Sequence, residues 1–381
     1  MNSQAGAPTT TGSTTTGSTT TGPTTTGSTT TGPTDTGPPS APVRRIEATV
    51  ASASWIPSEG VPMPLRIPFD AGLTHYDTPL PDRIDHGAQL EDLIGSDACR
   101  AINSLHAWID VDPDTGRIVG VGRSGGGLVC STTVSLGSFE LTRPGHHAPD
   151  LCPEPEVTDH WVRLTQTCGG RTWLPAPRLI ARLPFVGFQA PPVWTTLTLT
   201  LHADGRVEHD LVGASPFPRH WVYGPDGALS IKSGVLGFRR WYRRAGGPSC
   251  PWGDCDMDVT TAPAETDAER RVAREQMLRR VTGPTRRLGR GQVLAAQGED
   301  DATVWLVLDG TLDVEVDGRT VGPVGPGWVV GEHALLGDGR RTATLRATAP
   351  VHVTALHRAD VDRETFEMLA EHHRREELDR V

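Results

Sequence analysis

Lysine is almost absent from this chain of 381 residues: Lys232 is the only one among 36 lysine and arginine side chains. That imbalance indicates a coding bias toward arginine rather than selection for forked recognition of anions. The sequence also lacks any run of 18 apolar residues, so no transmembrane helix and no membrane partner are expected. An excess of positive charge is missing too, because the formal net charge is −10. This balance disfavours a large nucleic-acid-binding surface.

The first 43 residues have almost no apolar side chains to bury. From Thr9 to about Pro39 they repeat Thr-Thr-Thr-Gly followed by Ser or Pro. Such a segment cannot recover the entropy lost on ordering, which predicts a disordered tail over residues 1–43. An O-glycosylated spacer is the alternative interpretation. No apolar export region precedes the repeat, so the protein is expected to be cytoplasmic.

Cysteine is scarce and widely spaced. Without a signal peptide the reduced thiol is the default expectation for all six cysteines. Cys250 and Cys255 are the only close pair, and their spacing falls within the range of zinc sites. No second ligand pair lies nearby in the sequence. We therefore predict no metal site.

Residues 44–258 have the pattern of a β-rich domain. Apolar and polar side chains alternate on both sides of three turn signals, at Pro113–Gly116, Asp204-Gly205 and Asp226-Gly227. Only Ala88–Ala101 has the periodicity of a helix. These patterns predict a twisted antiparallel sheet of unknown topology.

Several groups in this region contain the residue types of a chemical site, and each also has a structural interpretation. Gly122–Gly126 matches G-x-S-x-G, yet a strand rather than a helix follows it, so Ser124 is interpreted as turn material. A second group could ligate a metal or act as acid and base: His75, Asp77, Asp82, Asp85 and His86. Prolines interrupt this group, which favours a polar surface loop instead. The tryptophans between Trp161 and Trp252 are interpreted as core, although with the arginines of residues 239–244 they would also suit an anionic ligand. No catalytic residue is assigned.

Residues 259–284 change character and form a linker with a helix. Thr266 and Glu269 have the spacing of a capping box, in which each side chain bonds the other residue's backbone N–H. The helix is predicted from Asp267 to about Val281, with Gly283-Pro284 ending it.

The C-terminal residues 285–381 alternate as short strands. Val304–Leu308 is a continuous apolar run, and Asp309-Gly310 and Asp317-Gly318 are tight-turn pairs. Val330–Thr344 then places a carboxylate, a short apolar turn and an arginine pair in one loop. A guanidinium suits phosphate oxygens, and a carboxylate can accept from a sugar hydroxyl. The residues predict a small β-roll with a pocket for a hydroxyl-bearing anion.

This region resembles the cyclic nucleotide-binding domain family. The ordered matches are Gly291, Gly298-Glu299, Trp305, Gly310, Gly325, Gly327 and the sequence from Gly331 to Ala347. The resemblance implies a jelly-roll-like β-roll, so the fold class is mainly β with flanking helices. It also implies cAMP or cGMP as ligand, with no cofactor. By motif alignment Glu332 would hold the ribose 2′-hydroxyl and Arg341 the cyclic phosphate.

The resemblance implies two sets of site residues. The nucleotide would be bound by Gly331, Glu332, His333, Ala334, Arg340, Arg341 and Thr342. A closing helix within residues 357–381 would cover the base with one of His372, His373, Arg374 and Arg375. The cassette departs from the family pattern, because Arg340 stands where proline is common and Asp338 adds a negative charge. The hydroxyl of Thr342 could donate to the phosphate or to the edge of a guanine base, which is compatible with cGMP as ligand. A transcription factor built on this domain needs a helix-turn-helix after the closing helix, and none fits, so DNA is not an expected partner.

The patterns together favour a two-domain ligand sensor in which a cyclic nucleotide biases the helix from Asp267 and so regulates the β-rich domain. Its partners would be the nucleotide and either a second copy of the chain or an unidentified protein. One alternative makes residues 44–258 an enzyme regulated by the roll. A second makes the roll a structural module that has lost its ligand.

Overall fold

The computed structural model describes residues 42–63, 66–174, 176–179, 181, 186–189, 191–243, 259–266, 269–273, 283–336 and 339–356. All of them belong to one compact unit that begins at Ala41. Within these ranges no helix is both long and apolar enough to cross a membrane. The predicted tail lies almost wholly outside the described residues, as do the closing helix and the pair Cys250 and Cys255.

The N-terminal region is built of antiparallel strands, as the alternating sequence predicted. Its strands in the described residues are β1 (Arg44–Trp55), β2 (Ala101–Val111), β3 (Ile118–Val129), β4 (Thr132–Leu136), β5 (Phe139–Arg143), β6 (His146–Ala148), β7 (Asp150–Leu151), β8 (Glu156–Val157), β9 (Trp161–Arg171), β10 (Ala176–Leu179), β11 (Val186–Gln189), β12 (Pro192–His202), β13 (Val207–Ala214), β14 (Arg219–Tyr223), β15 (Leu229–Ser233) and β16 (Thr261–Pro263). A 3-10 turn (Ser58–Gly60) and three short helices interrupt them: α1 (Ile67–Asp70), α2 (Ala88–Gly95) and α3 (Phe238–Arg243).

These strands form a sandwich of two sheets, a topology that the sequence left open. The first sheet has the order β16-β15-β14-β1-β2-β3-β6, and the second has β13-β12-β9-β7 with β8 also paired to β9. Two-stranded sheets β4-β5 and β10-β11 complete the region. All three predicted hairpins are present, as β2-β3, β12-β13 and β14-β15.

The core of the sandwich lies between the inward faces of the two sheets. Leu105 and Ile109 from β2 meet Leu164 from β9 and Leu197 and Leu199 from β12, all fully buried. Burying each such side chain stabilises the fold by roughly 1.5–3 kcal/mol. Threonines are buried beside them on the second sheet and remain hydrogen-bonded, as for the Thr167 and Thr196 hydroxyls, 2.8 Å apart.

Two predictions for this region are wrong. The helix predicted over Ala88–Ala101 ends at Gly95, because Asp97 adopts a left-handed φ of 54° and the chain enters β2 at Ala101. The expectation of reduced thiols fails for Cys99 and Cys130, which form a disulfide. A backbone hydrogen bond from Cys130 to Arg100 brings the two segments together, with Cα atoms 6.0 Å apart.

The C-terminal region is the predicted β-roll. Its strands are β17 (Thr285–Leu288), β18 (Val293–Ala295), β19 (Val304–Asp309), β20 (Leu312–Val316), β21 (Arg319–Val324), β22 (Val329–Val330), β23 (Thr344–Ala347) and β24 (Val351–Leu356). Two helical segments flank them, α4 (residues 269–273) and α5 (Glu332–Leu336). The sheets β17-β24-β19-β22 and β18-β23-β20-β21 enclose an apolar core. Asp317 and Gly318 both have positive φ, as the predicted tight hairpin turn requires.

Candidate functional site

The loop between β22 and β23 forms one wall of a cavity in the roll. Gly331 begins this loop with a φ of 95°, a conformation that other residues rarely adopt. A Cβ at this position would also lie 2.2 Å from Nη1 of Arg341 and 2.7 Å from the carbonyl oxygen of Thr303. Glycine is therefore required for the arginine to lie against the backbone here.

Glu332 and Arg341 line the same cavity, whose volume is about 90 Å3. Both are buried, with exposed fractions of 2% and 4%. Apolar side chains from β20, β21 and β22 form much of the wall, including Val314, Val324 and Val330. A carboxylate and a guanidinium, both buried, thus converge on one largely apolar cavity, where charge interactions are screened less than at the surface.

The other predicted site residues fall into those that line the cavity, one that does not, and four that lie outside the described residues. Gly331, His333, Ala334 and Thr342 also line the cavity. Arg340 does not; its side chain is 63% exposed and its Nε lies 3.2 Å from Asp300. Of the arginine pair, only Arg341 lines the cavity. The predicted base-covering residues, His372, His373, Arg374 and Arg375, lie outside the described residues.

Asp301 is a site residue that sequence reasoning missed. Its Oδ2 lies 2.5 Å from Nη2 of Arg341. The backbone brings the two together, because Arg341 N donates to Glu299 O and Gly298 N donates to Arg341 O. Burial opposes the charged form of Asp301, but hydrogen bonds from Thr303 and Arg341 outweigh it and lower the pKa of this carboxyl. The acidic run after Gly298 was the available signal.

The predicted capping box is confirmed and lies directly behind the cavity. Thr266 N donates to Glu269 Oε2 at 2.9 Å, and Glu269 N donates to Thr266 Oγ1 at 3.3 Å. The second carboxylate oxygen of Glu269 accepts from Val329 N at 3.0 Å. Val272 and Ala273 of α4 pack in one cluster with Val329 and the partly buried Leu335 of α5. The start of α4 is therefore hydrogen-bonded to the strand that leads into Gly331.

A buried ionic cluster joins α4 to the sandwich. Lys232 of β15 is ion-paired with Glu265, and both side chains are at most 3% exposed. The ammonium also lies 4.5 Å from the ring centre of Trp221 in β14 and 3.5 Å from Pro326 O in the roll. Arg270 of α4 donates to Glu265 O at 2.7 Å. Burial lowers the pKa of Lys232 to about 8 against the opposing charge of Glu265, so the lysine remains charged at neutral pH.

A second contact between sandwich and roll is built on Arg219 and Asp309. Arg219 of β14 donates to Leu308 O at 2.6 Å, and Asp309 Oδ1 accepts from Leu236 N at 2.7 Å. Burial raises the pKa of Asp309 to about 6, against the opposing effects of Arg219 and of two backbone N–H groups. The ionised carboxylate is therefore disfavoured by its surroundings in the folded chain.

Asp309→Asn is expected to raise the melting temperature more at pH 7.5 than at pH 4.5. The folded pKa of about 6 exceeds the unfolded value of about 3.9, so the wild type loses stability as pH rises between the two values. Asparagine keeps an acceptor for Leu236 N and does not titrate. Paired thermal melts at both pH values measure the difference, and an equal shift at the two pH values would contradict the assignment.

The candidate site residues of the N-terminal region contact other protein groups and do not form one site. Asp77 is buried and ion-paired with Arg100, and His75 Nε2 lies 3.7 Å from it. Elsewhere, Asp82 lies near Arg270, and His86 Nε2 is 2.9 Å from Gly224 O. Among the described residues no group of three or more histidine, cysteine, aspartate or glutamate side chains could hold a metal ion.

The structure also places the G-x-S-x-G match and several of the tryptophans. Ser124 lies inside β3, opposite His106, and not at a strand-to-helix turn. Trp194, Trp221 and Trp241 are buried, as the core interpretation predicted, while Trp173 is exposed.

Comparisons with known proteins identify a family for the C-terminal part of the chain. Residues 285–367 match the family model of the cyclic nucleotide-binding domain. The chain is also 30% identical over 114 residues to the cGMP-dependent protein kinase egl-4 of Caenorhabditis briggsae, a match that covers 30% of this chain. The chain spans only 15% of the length of that curated relative. The C-terminal part of the chain is thus a cyclic nucleotide-binding domain.

Solved structures also match part of the chain. The N-terminal domain of a transcriptional regulator from Streptomyces coelicolor A3(2) is 27% identical, with 28% of this chain and 76% of that chain covered and a TM-score of 0.21. A cyclic nucleotide-binding domain from Methylobacillus flagellatus is 18% identical, covering 30% and 81%, with a TM-score of 0.26. The structure titled "Sp-2Cl-cAMPS bound to PKAR CBD2" is 22% identical, covering 28% and 79%, with a TM-score of 0.24.

Proposed function

We propose that the chain is a sensor of cAMP or cGMP whose C-terminal roll regulates the N-terminal sandwich. The observation that carries the proposal is the convergence of Glu332 and Arg341, both buried, on one cavity. Arg341 would bind the cyclic phosphate and Glu332 would accept from the ribose 2′-hydroxyl. Gly331, His333, Ala334 and Thr342 complete the nucleotide site.

Binding would exchange one partner of Arg341 for another. The carboxylate of Asp301 holds the guanidinium and is 40% exposed, so it can be rehydrated when a phosphate takes its place. The cavity of about 90 Å3 is smaller than the roughly 300–1,000 Å3 of small-molecule sites. Nucleotide entry would therefore move the loop that carries α5 away from β20 and β21.

The movement has a direct route to the sandwich. α5 packs with α4, and the capping glutamate Glu269 is bonded to Val329. Behind it, Glu265 and Arg270 connect α4 to Lys232 in β15. A ligand that favours one position of α5 would shift the population of α4 positions, and with it the environment of β14 and β15.

Isothermal titration with cAMP and cGMP tests binding, and hydrogen exchange tests the route. We expect saturable binding of at least one nucleotide and altered amide protection in β14 and β15 when it is bound. Absence of binding at millimolar concentrations of both nucleotides would refute the sensor. Binding without any change in β14 and β15 would leave a nucleotide-binding domain and refute the regulation.

One observation favours a second candidate, a structural module that has lost its ligand. Arg341 already has a carboxylate partner, and such a pair would be stable without a nucleotide. The same titration separates the two, since the structural module predicts no heat with either nucleotide.

A homodimer or an unidentified protein partner remains part of the first proposal. A cytoplasmic location does too, although the Cys99–Cys130 disulfide weighs against a reducing compartment.

A further inference from the structure

A second cavity, of about 840 Å3, lies where the sandwich meets the roll. The 3-10 turn at Ser58–Gly60 and α3 form the sandwich side, and β17 and β24 form the roll side. Its volume is within the range of sites that take a small organic molecule. None of the residues assigned to the cyclic nucleotide lines it.

The wall of this cavity carries arginines from three separate segments. Arg66 precedes α1, Arg239 and Arg240 lie on α3, and Arg287 lies on β17. Neither Arg240 nor Arg287 has a carboxylate partner among the described residues. Bringing like charges from distant parts of the chain together destabilises the fold unless something compensates them.

The charge of Arg287 acts on a histidine that lines the cavity. His352 lies directly opposite Arg287 across the β17-β24 pair and also lines the cavity. Burial lowers the pKa of His352, and the Arg287 charge lowers it further. Arg287 and His352 therefore lie on neighbouring strands at the same edge of the cavity, in a chain whose formal net charge is −10.

The two acids of the cavity, Glu59 and Asp309, are paired with groups other than Arg240 and Arg287. Glu59 Oε1 lies 3.5 Å from Arg219 Nη1, and the two side chains are 9% and 1% exposed. Asp309 accepts from Leu236 N and also interacts with Arg219. Both carboxylates are thus engaged by Arg219, and no contact of either with Arg240 or Arg287 is present among the described residues.

Apolar side chains complete the cavity. Phe238 and Val61 are 5% and 2% exposed, and Leu308 and Val351 from the roll are buried as well. An apolar inner surface next to a cationic rim suits a ligand with one apolar or aromatic part and one anionic part.

We propose that this cavity binds a phosphorylated small molecule of nucleotide size, with its phosphates on Arg240 and Arg287 and its apolar part against Phe238. Guanidinium groups bind phosphate oxygens through two parallel hydrogen bonds, and two arginines match the several negative charges of a phosphorylated ligand better than the charge of a singly charged anion. The ligand would touch sandwich and roll together, so it would stabilise one arrangement of the two. This site is independent of the cyclic nucleotide pocket at Arg341.

The test is isothermal titration of the full chain with ATP, inorganic pyrophosphate and adenosine. We expect ATP to bind more tightly than pyrophosphate and adenosine to bind weakest. The double variant Arg240→Gln/Arg287→Gln is expected to weaken ATP binding at least about tenfold, because two charge-assisted contacts are lost. Both side chains are exposed, so folding should persist, and a thermal melt checks this.

Two controls separate this site from the alternatives. Arg319→Gln removes an exposed arginine on β21 that does not line the cavity, and it should leave ATP binding unchanged. Arg341→Gln should also leave it unchanged, even if binding of cAMP or cGMP is lost. The proposal is overturned if the wild type binds neither ATP nor pyrophosphate at millimolar concentration. It is equally overturned if Arg319→Gln weakens ATP as much as the double variant, or if only Arg341→Gln weakens it.

Discussion

Replacing Arg341 by glutamine is expected to lower the affinity for cAMP or cGMP at least about 100-fold. The guanidinium is 98% buried, so its hydrogen bonds to a phosphate would be formed where water competes poorly. Glutamine keeps a donor but has neither the charge nor the forked geometry. Titration calorimetry of wild type and variant with the same nucleotide measures the ratio of dissociation constants.

The neighbouring arginine supplies the control for this experiment. Arg340→Gln changes the same charge one position earlier, but that side chain is 63% exposed and its partner Asp300 is 79% exposed. Its effect on nucleotide affinity should stay within about twofold, because exposed ion pairs contribute about 0–1 kcal/mol and are screened by salt. Equal losses in the two variants would mean that net charge, and not the buried guanidinium, governs binding.

The stability of the two variants provides a second check. Arg341→Gln leaves Asp301 without its guanidinium, yet this carboxylate is 40% exposed and Thr303 still donates to it. We therefore expect the roll to remain folded in both variants. A cooperative thermal transition in Arg341→Gln is needed before a loss of affinity can be assigned to the contact itself.

The roll was predictable from local sequence because its turns need particular residues. The pair Asp317-Gly318 requires two left-handed residues, and Gly331 leaves space for the guanidinium of Arg341. The glycines and turn pairs themselves are visible in the sequence, and their order carries the resemblance to the cyclic nucleotide-binding domain family, whereas the contact between Gly331 and Arg341 is visible only in the structure. The three hairpins of the sandwich were predictable for the same reason, since alternation and turn residues are features of neighbouring positions.

Contacts between distant residues were not predictable in this way. Asp301 and Arg341 are separated by 40 positions, and which carboxylate of the acidic run meets the arginine depends on the register of the loop. The Cys99–Cys130 disulfide likewise depends on where α2 ends, which periodicity placed too late. Sheet order in the sandwich has no local signal at all, because β1 pairs with β14, more than 160 residues away.

Lys232 shows how composition can mislead about an individual residue. The scarcity of lysine indicates a coding bias toward arginine, yet the one lysine occupies a buried position that contacts three parts of the molecule. A compact ammonium on a flexible stem can lie against Trp221 and reach Glu265 and Pro326 together. The planar guanidinium of arginine has a different shape, so the one lysine stands where arginine would fit less well.

Replacing Lys232 by methionine is expected to destabilise the chain by about 3 kcal/mol. Methionine fills a similar volume but leaves the Glu265 carboxylate, 1% exposed, without its ammonium partner. Breaking a buried ion pair at one end costs about 3–5 kcal/mol, and we expect the lower end because Arg270 Nε remains 3.7 Å from Glu265. The free energy of unfolding from urea titrations measures the loss.

The double variant Lys232→Met/Glu265→Gln tests whether the stranded carboxylate is the cause. Removing the second charge should recover at least half of the stability lost in the single variant, because the buried group is then neutral. If Lys232→Met alone unfolds like the wild type, the cluster does not hold sandwich and roll together. If the double variant is no more stable than the single one, the loss arises from packing against Trp221, and the ionic link between α4 and β15 would have to be abandoned as the route of regulation.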